Sequence, residues 1–102
     1  MKKFEDLVFV PHHFGMGDCS KMFFPNGYGI SVVRFKTPYG GGSYTSGDDD
    51  WEIAVLIGDE QNWDLCYTTD LTDNVLGWQS NEDVTNAMER IQRLPMVEYK
   101  LN

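Results

Sequence analysis

Two imidazoles, a carboxylate and a thiol fall within nine residues in Pro11-His12-His13-Phe14-Gly15-Met16-Gly17-Asp18-Cys19. All three side-chain types can bind zinc, but their spacing matches no established zinc pattern. Adjacent histidines in an extended segment point to opposite sides, so a single ion cannot easily take both. The Cys19 thiol could act as a nucleophile if His12 or His13 lowered its pKa. A small metal- or thiol-dependent enzyme centred on His12, His13 and Cys19 is therefore the catalytic alternative, set against a Gly-punctuated loop with surface histidines. The triplet Gly40-Gly41-Gly42 could cradle a phosphate only with a helix N-terminus behind it, and here Asp48-Asp49-Asp50 and a strand pattern follow instead. That acidic run lacks the alternating ligands, central Gly and terminal Glu of a calcium loop. Glu52 and Asp64 fall on strand patterns at spacings that imply exposure, not a desolvated catalytic pair. No cofactor and no metal are expected.

Aromatic and acidic residues make the stronger case, and the case is for recognition. Tyr and Trp offer broad, rigid contact area with a polar tip, and they carry a large share of interface energy. Tyr39 and Tyr44 lie in the biased stretch from Tyr39 to Asp50, where four Gly, two Ser and three Asp share twelve positions. Such a composition buries too little surface to offset its ordering entropy, so a mobile loop over residues 39–50 is expected. Trp51 and Trp63 are expected in the core, and Trp78 as a staple against the first turns of a helix. Charge is uneven: five basic and three acidic side chains leave residues 1–36 at +2, while three basic and thirteen acidic ones leave residues 37–102 at −10. The expected contact set is Tyr39, Tyr44, Asp48, Asp49, Asp50, Asp59 and Glu60, presenting negative charge to a basic or nucleic-acid-binding protein. The alternative is a solvated, solubility-promoting surface.

These residues must be positioned by strands. Tyr28 to Phe35 mixes apolar residues onto both faces and reads as a central strand. In Trp51 to Ile57, Trp51, Ile53, Val55 and Ile57 alternate with Glu52, Ala54 and Leu56. Trp63, Leu65 and Tyr67 repeat the pattern, and Gly58-Asp59-Glu60-Gln61-Asn62 supplies a hairpin loop between the two. Phe24-Pro25-Asn26-Gly27 fits a type I turn with a Gly bulge, pairing Met22 to Phe24 with Tyr28 onward. Phe4 to Val10 reads as another strand closed by Pro11, and Met96 to Leu101 as a short final one. A helix is expected over Ser80 to Leu94. Ser80 and Asp83 make a capping-box start, Val84, Ala87, Met88, Ile91 and Leu94 form one apolar stripe, and Pro95 stops it. The expected fold is α+β, a four- to five-stranded antiparallel meander with one C-terminal helix on one face.

At 102 residues with a net charge of −8, the chain is expected to be a single domain spanning residues 1–102, whose acidity disfavours nucleic acid or an anionic membrane as direct partner. Its longest apolar run, Ile53 to Ile57, is far short of a membrane span, and two cysteines suggest free thiols in a reducing, cytoplasmic setting. Three phrases carry a resemblance: Phe24-Pro25-Asn26-Gly27-Tyr28-Gly29-Ile30-Ser31-Val32-Val33-Arg34, then Trp51-Glu52-Ile53-Ala54-Val55-Leu56, then Leu65-Cys66-Tyr67 with Leu71-Thr72-Asp73-Asn74-Val75-Leu76-Gly77-Trp78. Together they resemble short uncharacterised proteins of tailed-phage and prophage genomes, over about residues 22–94. The resemblance implies a genomic setting rather than a reaction: small phage accessory proteins commonly bind and redirect or inhibit a host protein. The expected function is non-catalytic binding of a host protein, with inhibition of a CRISPR effector or restriction enzyme as one specific version. A virion or replication-associated structural component is a further alternative.

Overall fold

The computed structural model describes residues 1–12, 16–36, 42–46, 49–66 and 75–97. Six strands form one antiparallel sheet: β1 (Val10–Pro11), β2 (Met16–Phe23), β3 (Tyr28–Lys36), β4 (Trp51–Gly58), β5 (Trp63–Leu65) and β6 (Val75–Gln79). Helix α1 (Asn81–Gln92) follows and packs on one face. The first five strands lie in sequence order, and β6 returns to pair with β4. Since β3 takes one edge of β4, its other edge is shared. Leu56 to Gly58 pair with β5, and Trp51 to Ala54 pair with β6.

Alternation decides what each face buries. Ile30 and Val32 of β3 and Trp51, Ile53 and Val55 of β4 turn toward α1 and meet Val84, Ala87, Met88 and Ile91. At about 25 cal/mol per Å² of apolar area, this layer is the main source of folding energy. The α1 stripe and the Ser80 start agree with the sequence. Ser80 Oγ accepts from the Asp83 amide at 3.0 Å, and the Asp83 carboxylate accepts from the Ser80 amide at 2.9 Å.

The β2–β3 turn does more than reverse the chain. Gly27 takes a φ of 89°, and its N–H donates to the Phe24 carbonyl at 3.1 Å. Between them, the Asn26 side-chain amide donates to the Ile91 and Leu94 carbonyls at 2.9 and 3.1 Å. Ile91 lies in the last turn of α1, where its carbonyl also accepts from the Leu94 amide at 3.1 Å, and Leu94 lies just past the helix end, so a turn in the sheet ties down the end of the helix from outside. At the other end of α1, the Trp51 indole N–H donates to Asn81 Oδ1 at 2.8 Å.

The N-terminus departs from the expected strand. Residues Phe4–Asp6 form a 3-10 turn, and only Val10 and Pro11 reach the sheet. Polar groups of α1 capture the segment: the Lys2 amide donates to Gln92 Oε1 at 2.8 Å and the Phe4 amide to Thr85 Oγ1 at 3.1 Å. Leu7 is then buried, while Phe4 and Phe9 pack against Trp51. Met16 to Cys19, expected in a loop, extend β2 instead. Met96 and Val97 lie outside any strand, and the rest of the expected final strand lies outside the described residues. Among the described residues, no helix is long and apolar enough to cross a membrane.

Asn26→Ala removes both donors to the helix end and should cost about 2 kcal/mol in urea unfolding; an unchanged midpoint would refute this capping role. Ser20, buried on the α1-facing side of β2, has a hydroxyl with no hydrogen-bond partner among the described residues. Ser20→Ala should therefore raise stability by up to about 1 kcal/mol in the same assay, whereas a loss would show that the hydroxyl is satisfied.

Candidate interaction surface

The residues of the catalytic alternative do not assemble into a centre among the described residues. His12 stacks flat on Phe35, with ring centroids 3.9 Å apart and 4° between planes. Gly17 lies between them in register and has no side chain to intervene. A Cβ there would fall 2.5 Å from the Phe35 Cα. Cys19 sits mid-strand between Val10 and Val33. No group of three or more His, Cys, Asp or Glu among the described residues could hold a metal ion. His13 lies outside the described residues.

The expected contact residues separate into two groups. Asp59 and Glu60 occupy the β4–β5 hairpin, where Asp59 Oδ1 accepts the Gln61 and Asn62 amides, both at 2.9 Å. Those amides hold the Asp59 carboxyl below its ordinary value. Tyr44, Asp49 and Asp50 lie near the opposite end of β4, about 20 Å away at the usual rise per strand residue. There the Asp50 carboxylate accepts from the Ser46 amide at 3.0 Å and from its hydroxyl at 2.6 Å. Tyr39 and Asp48 lie outside the described residues.

Tyr44 is held from both sides. Ser43 Oγ accepts from the Phe35 amide at 2.9 Å, and the Ser43 amide donates to the Phe35 carbonyl at 3.1 Å. On the far side, the Trp78 amide donates to the Tyr44 carbonyl at 2.8 Å. Gly77 makes this approach possible, because a Cβ there would lie 2.5 Å from the Tyr44 Cβ.

Trp78 departs from its expected place. It is 62% exposed and does not staple the helix. Trp51 pairs with Gln79 and Ile53 with Leu76, so Glu52 alone on β4 opposes both Gly77 and Trp78 on β6. This is a β-bulge, a device that re-aims a side chain. Trp78 takes a φ of 56°, the one positive φ outside glycine among the described residues. That is an uncommon and costly conformation for a bulky side chain. Tyr44 is itself 56% exposed, and the two ring centroids lie 6.0 Å apart, tilted by 34°. No periodicity signals this; the only sequence hint is a Gly-Trp pair just before a helix cap.

The three tryptophans thus have three fates. Trp51 is 5% exposed, as expected, and carries Arg34 over its ring at 3.9 Å. Trp63, also expected in the core, is 44% exposed under Lys21 at 5.1 Å, because β5 is a short strand with an outer edge. Glu52 is another correction: it is half-buried and is the single carboxylate on the wall of an open groove of about 270 Å³ on the sheet face away from α1.

Burial pushes the Glu52 carboxyl above the ordinary glutamate value, and a hydrogen bond from the Tyr44 amide offsets part of the rise. The folded chain therefore holds this proton more tightly than the unfolded chain does. Stability falls as pH rises from the ordinary glutamate value through the raised one. Glu52→Gln should stabilise the protein at neutral pH by less than about 1 kcal/mol, given partial exposure, and the gain should disappear below the ordinary glutamate value. Urea unfolding across pH tests this, and a gain that persists undiminished into acid would contradict it.

No family model matches the chain, and neither the curated proteins nor the solved structures contain a match.

Proposed function

We propose that this chain is a non-catalytic, phage-type accessory protein that binds a host protein and modulates or inhibits it through the surface around Tyr44 and Trp78. One observation carries the reading: two large aromatic rings stand exposed side by side, one of them on a backbone in the left-handed region. Such a conformation costs on the order of 1–3 kcal/mol, and a tryptophan that is 62% exposed recovers little of that by burial. Contact with another macromolecule gives the exposed rings a role that packing within the chain does not.

Charge supports the choice of partner. The chain carries −8 overall; Asp49 and Asp50 follow Tyr44 closely in sequence, Asp50 bonds to Ser46 two residues after Tyr44, and the Glu52 carboxylate accepts from the Tyr44 amide. A basic protein is attracted to such a surface, and the attraction weakens with salt. Basic grooves belong to proteins that handle nucleic acid, so a CRISPR effector or restriction enzyme is the specific version of the host partner. The phage setting rests on the resemblance carried by the Phe24 to Arg34, Trp51 to Leu56 and Leu65 to Trp78 phrases.

The partner is found by affinity capture from host lysate, and calorimetry then tests the surface. Trp78→Ala and Tyr44→Ala should each weaken binding by roughly 2 kcal/mol, about thirtyfold, while leaving thermal unfolding nearly unchanged. Asp48→Asn with Asp49→Asn should flatten the salt dependence of binding. Full affinity in both aromatic variants would eliminate this surface as the contact.

A further inference from the structure

Two tryptophans of this chain already display how an indole is used here. Arg34 lies over Trp51 at 3.9 Å, and one of its terminal nitrogens lies 4.0 Å from the Asp18 carboxylate. The guanidinium thus meets both an aromatic face and an acid. Lys21 lies over Trp63 at the longer distance of 5.1 Å. Trp78 is the third indole, and no Lys or Arg among the described residues lies over it. Both halves of the Arg34 arrangement are nevertheless present around it.

The bulge places Glu52 directly opposite Gly77 and Trp78. Tyr44 links the carboxylate to the indole-bearing strand, because its amide donates to Glu52 Oε1 at 3.4 Å while its carbonyl accepts from the Trp78 amide at 2.8 Å. An acid and two exposed rings therefore share one small region. Extending the contact surface proposed above, we infer that Tyr44, Trp78 and Glu52 form a receptor for a single guanidinium group, supplied by an arginine side chain of the partner protein.

The chemistry favours arginine over lysine. A guanidinium is planar and weakly hydrated, so it stacks on an indole while its N–H fork still reaches a carboxylate at the ring edge. An ammonium is compact and strongly hydrated, and it gives up more solvation to make the same two contacts. Burial has already removed part of the water from Glu52, so a cation delivered from outside replaces solvation that the fold has taken away.

The test uses the full chain and three capped amino acids: N-acetyl-arginine N-methylamide, its lysine counterpart and its citrulline counterpart. Citrulline matches arginine in shape without the charge. NMR follows the indole N–H signals, with the Trp78 signal identified by its loss in Trp78→Phe. The arginine probe should shift the Trp78 signal saturably, the lysine probe should bind about fivefold more weakly, and citrulline should give no saturable shift. Glu52→Gln should weaken arginine binding about fivefold while the Trp51 and Trp63 signals stay in place, showing an intact fold. Equal response to lysine or citrulline, an unaffected Glu52→Gln, or no response to arginine each overturns the inference. If the probes fail while Trp78→Ala still weakens binding to the captured host protein, the guanidinium assignment falls and the contact surface stands. If Trp78→Ala leaves that binding intact, the contact surface falls as well.

Discussion

Burial of β4 on both faces is the constraint from which the rest of the structure follows. Trp51, Ile53 and Val55 are covered by α1 and its neighbours, and Ala54 and Leu56 are buried on the opposite side. A strand apolar on both faces must also have its edges occupied, since each unpaired backbone group beside a dry core costs free energy. One edge goes to β3 along nearly the whole strand. The other is divided between a short hairpin partner, β5, and the returning strand β6. Within β6 the register slips by one residue, and that slip opposes Glu52 to Gly77 and Trp78. The exposed aromatic pair is thus a product of how the central strand completes its pairing.

Helix α1 holds to this sheet by more than its apolar stripe. Asn26 closes its C-terminal carbonyls, Asn81 receives the Trp51 indole, and the backbone of Lys2 and Phe4 bonds to Gln92 and Thr85. Each such bond adds only about 1 kcal/mol, but together they fix the rotation of the helix on the sheet, which non-directional apolar contact does not. The rings of Phe4, Phe9 and Trp51, with centroids 4.6 to 5.7 Å apart, close the same end of the core. The surface around Trp78 therefore stands on a frame whose parts are tied from several directions.

Acidity and aromatic exposure have different physical meanings on this molecule. Asp59 and Asp50 both accept hydrogen bonds from nearby backbone and serve local turns. Their charge needs no partner. Trp78 and Tyr44 serve no comparable internal purpose, because most of each side chain lies outside the core. For a domain whose net stability is on the order of 5–15 kcal/mol, a strained tryptophan facing solvent is a sizeable fraction to concede. The proposed contact surface is therefore centred on the aromatic pair rather than on the acids that surround it.

Local chemistry in the sequence determined the α+β architecture, the antiparallel pairing through Pro25-Asn26-Gly27 and Gly58 to Asn62, and the helix with its Ser80 start. Each of these rests on alternation, turn residues or a capping pair acting within a few positions. Tertiary structure alone decided that Phe4 to Asp6 would lie on the helix, that β5 and β6 would share an edge of β4, and that Trp63 and Trp78 would be exposed. Alternation specifies which residues share a face but not what covers that face, and it cannot register a one-residue slip between strands more than twenty positions apart. Asn26 reaching Ile91 and Glu52 opposing Trp78 are contacts of that kind, set by how the sheet closes on itself and by no pattern along the chain.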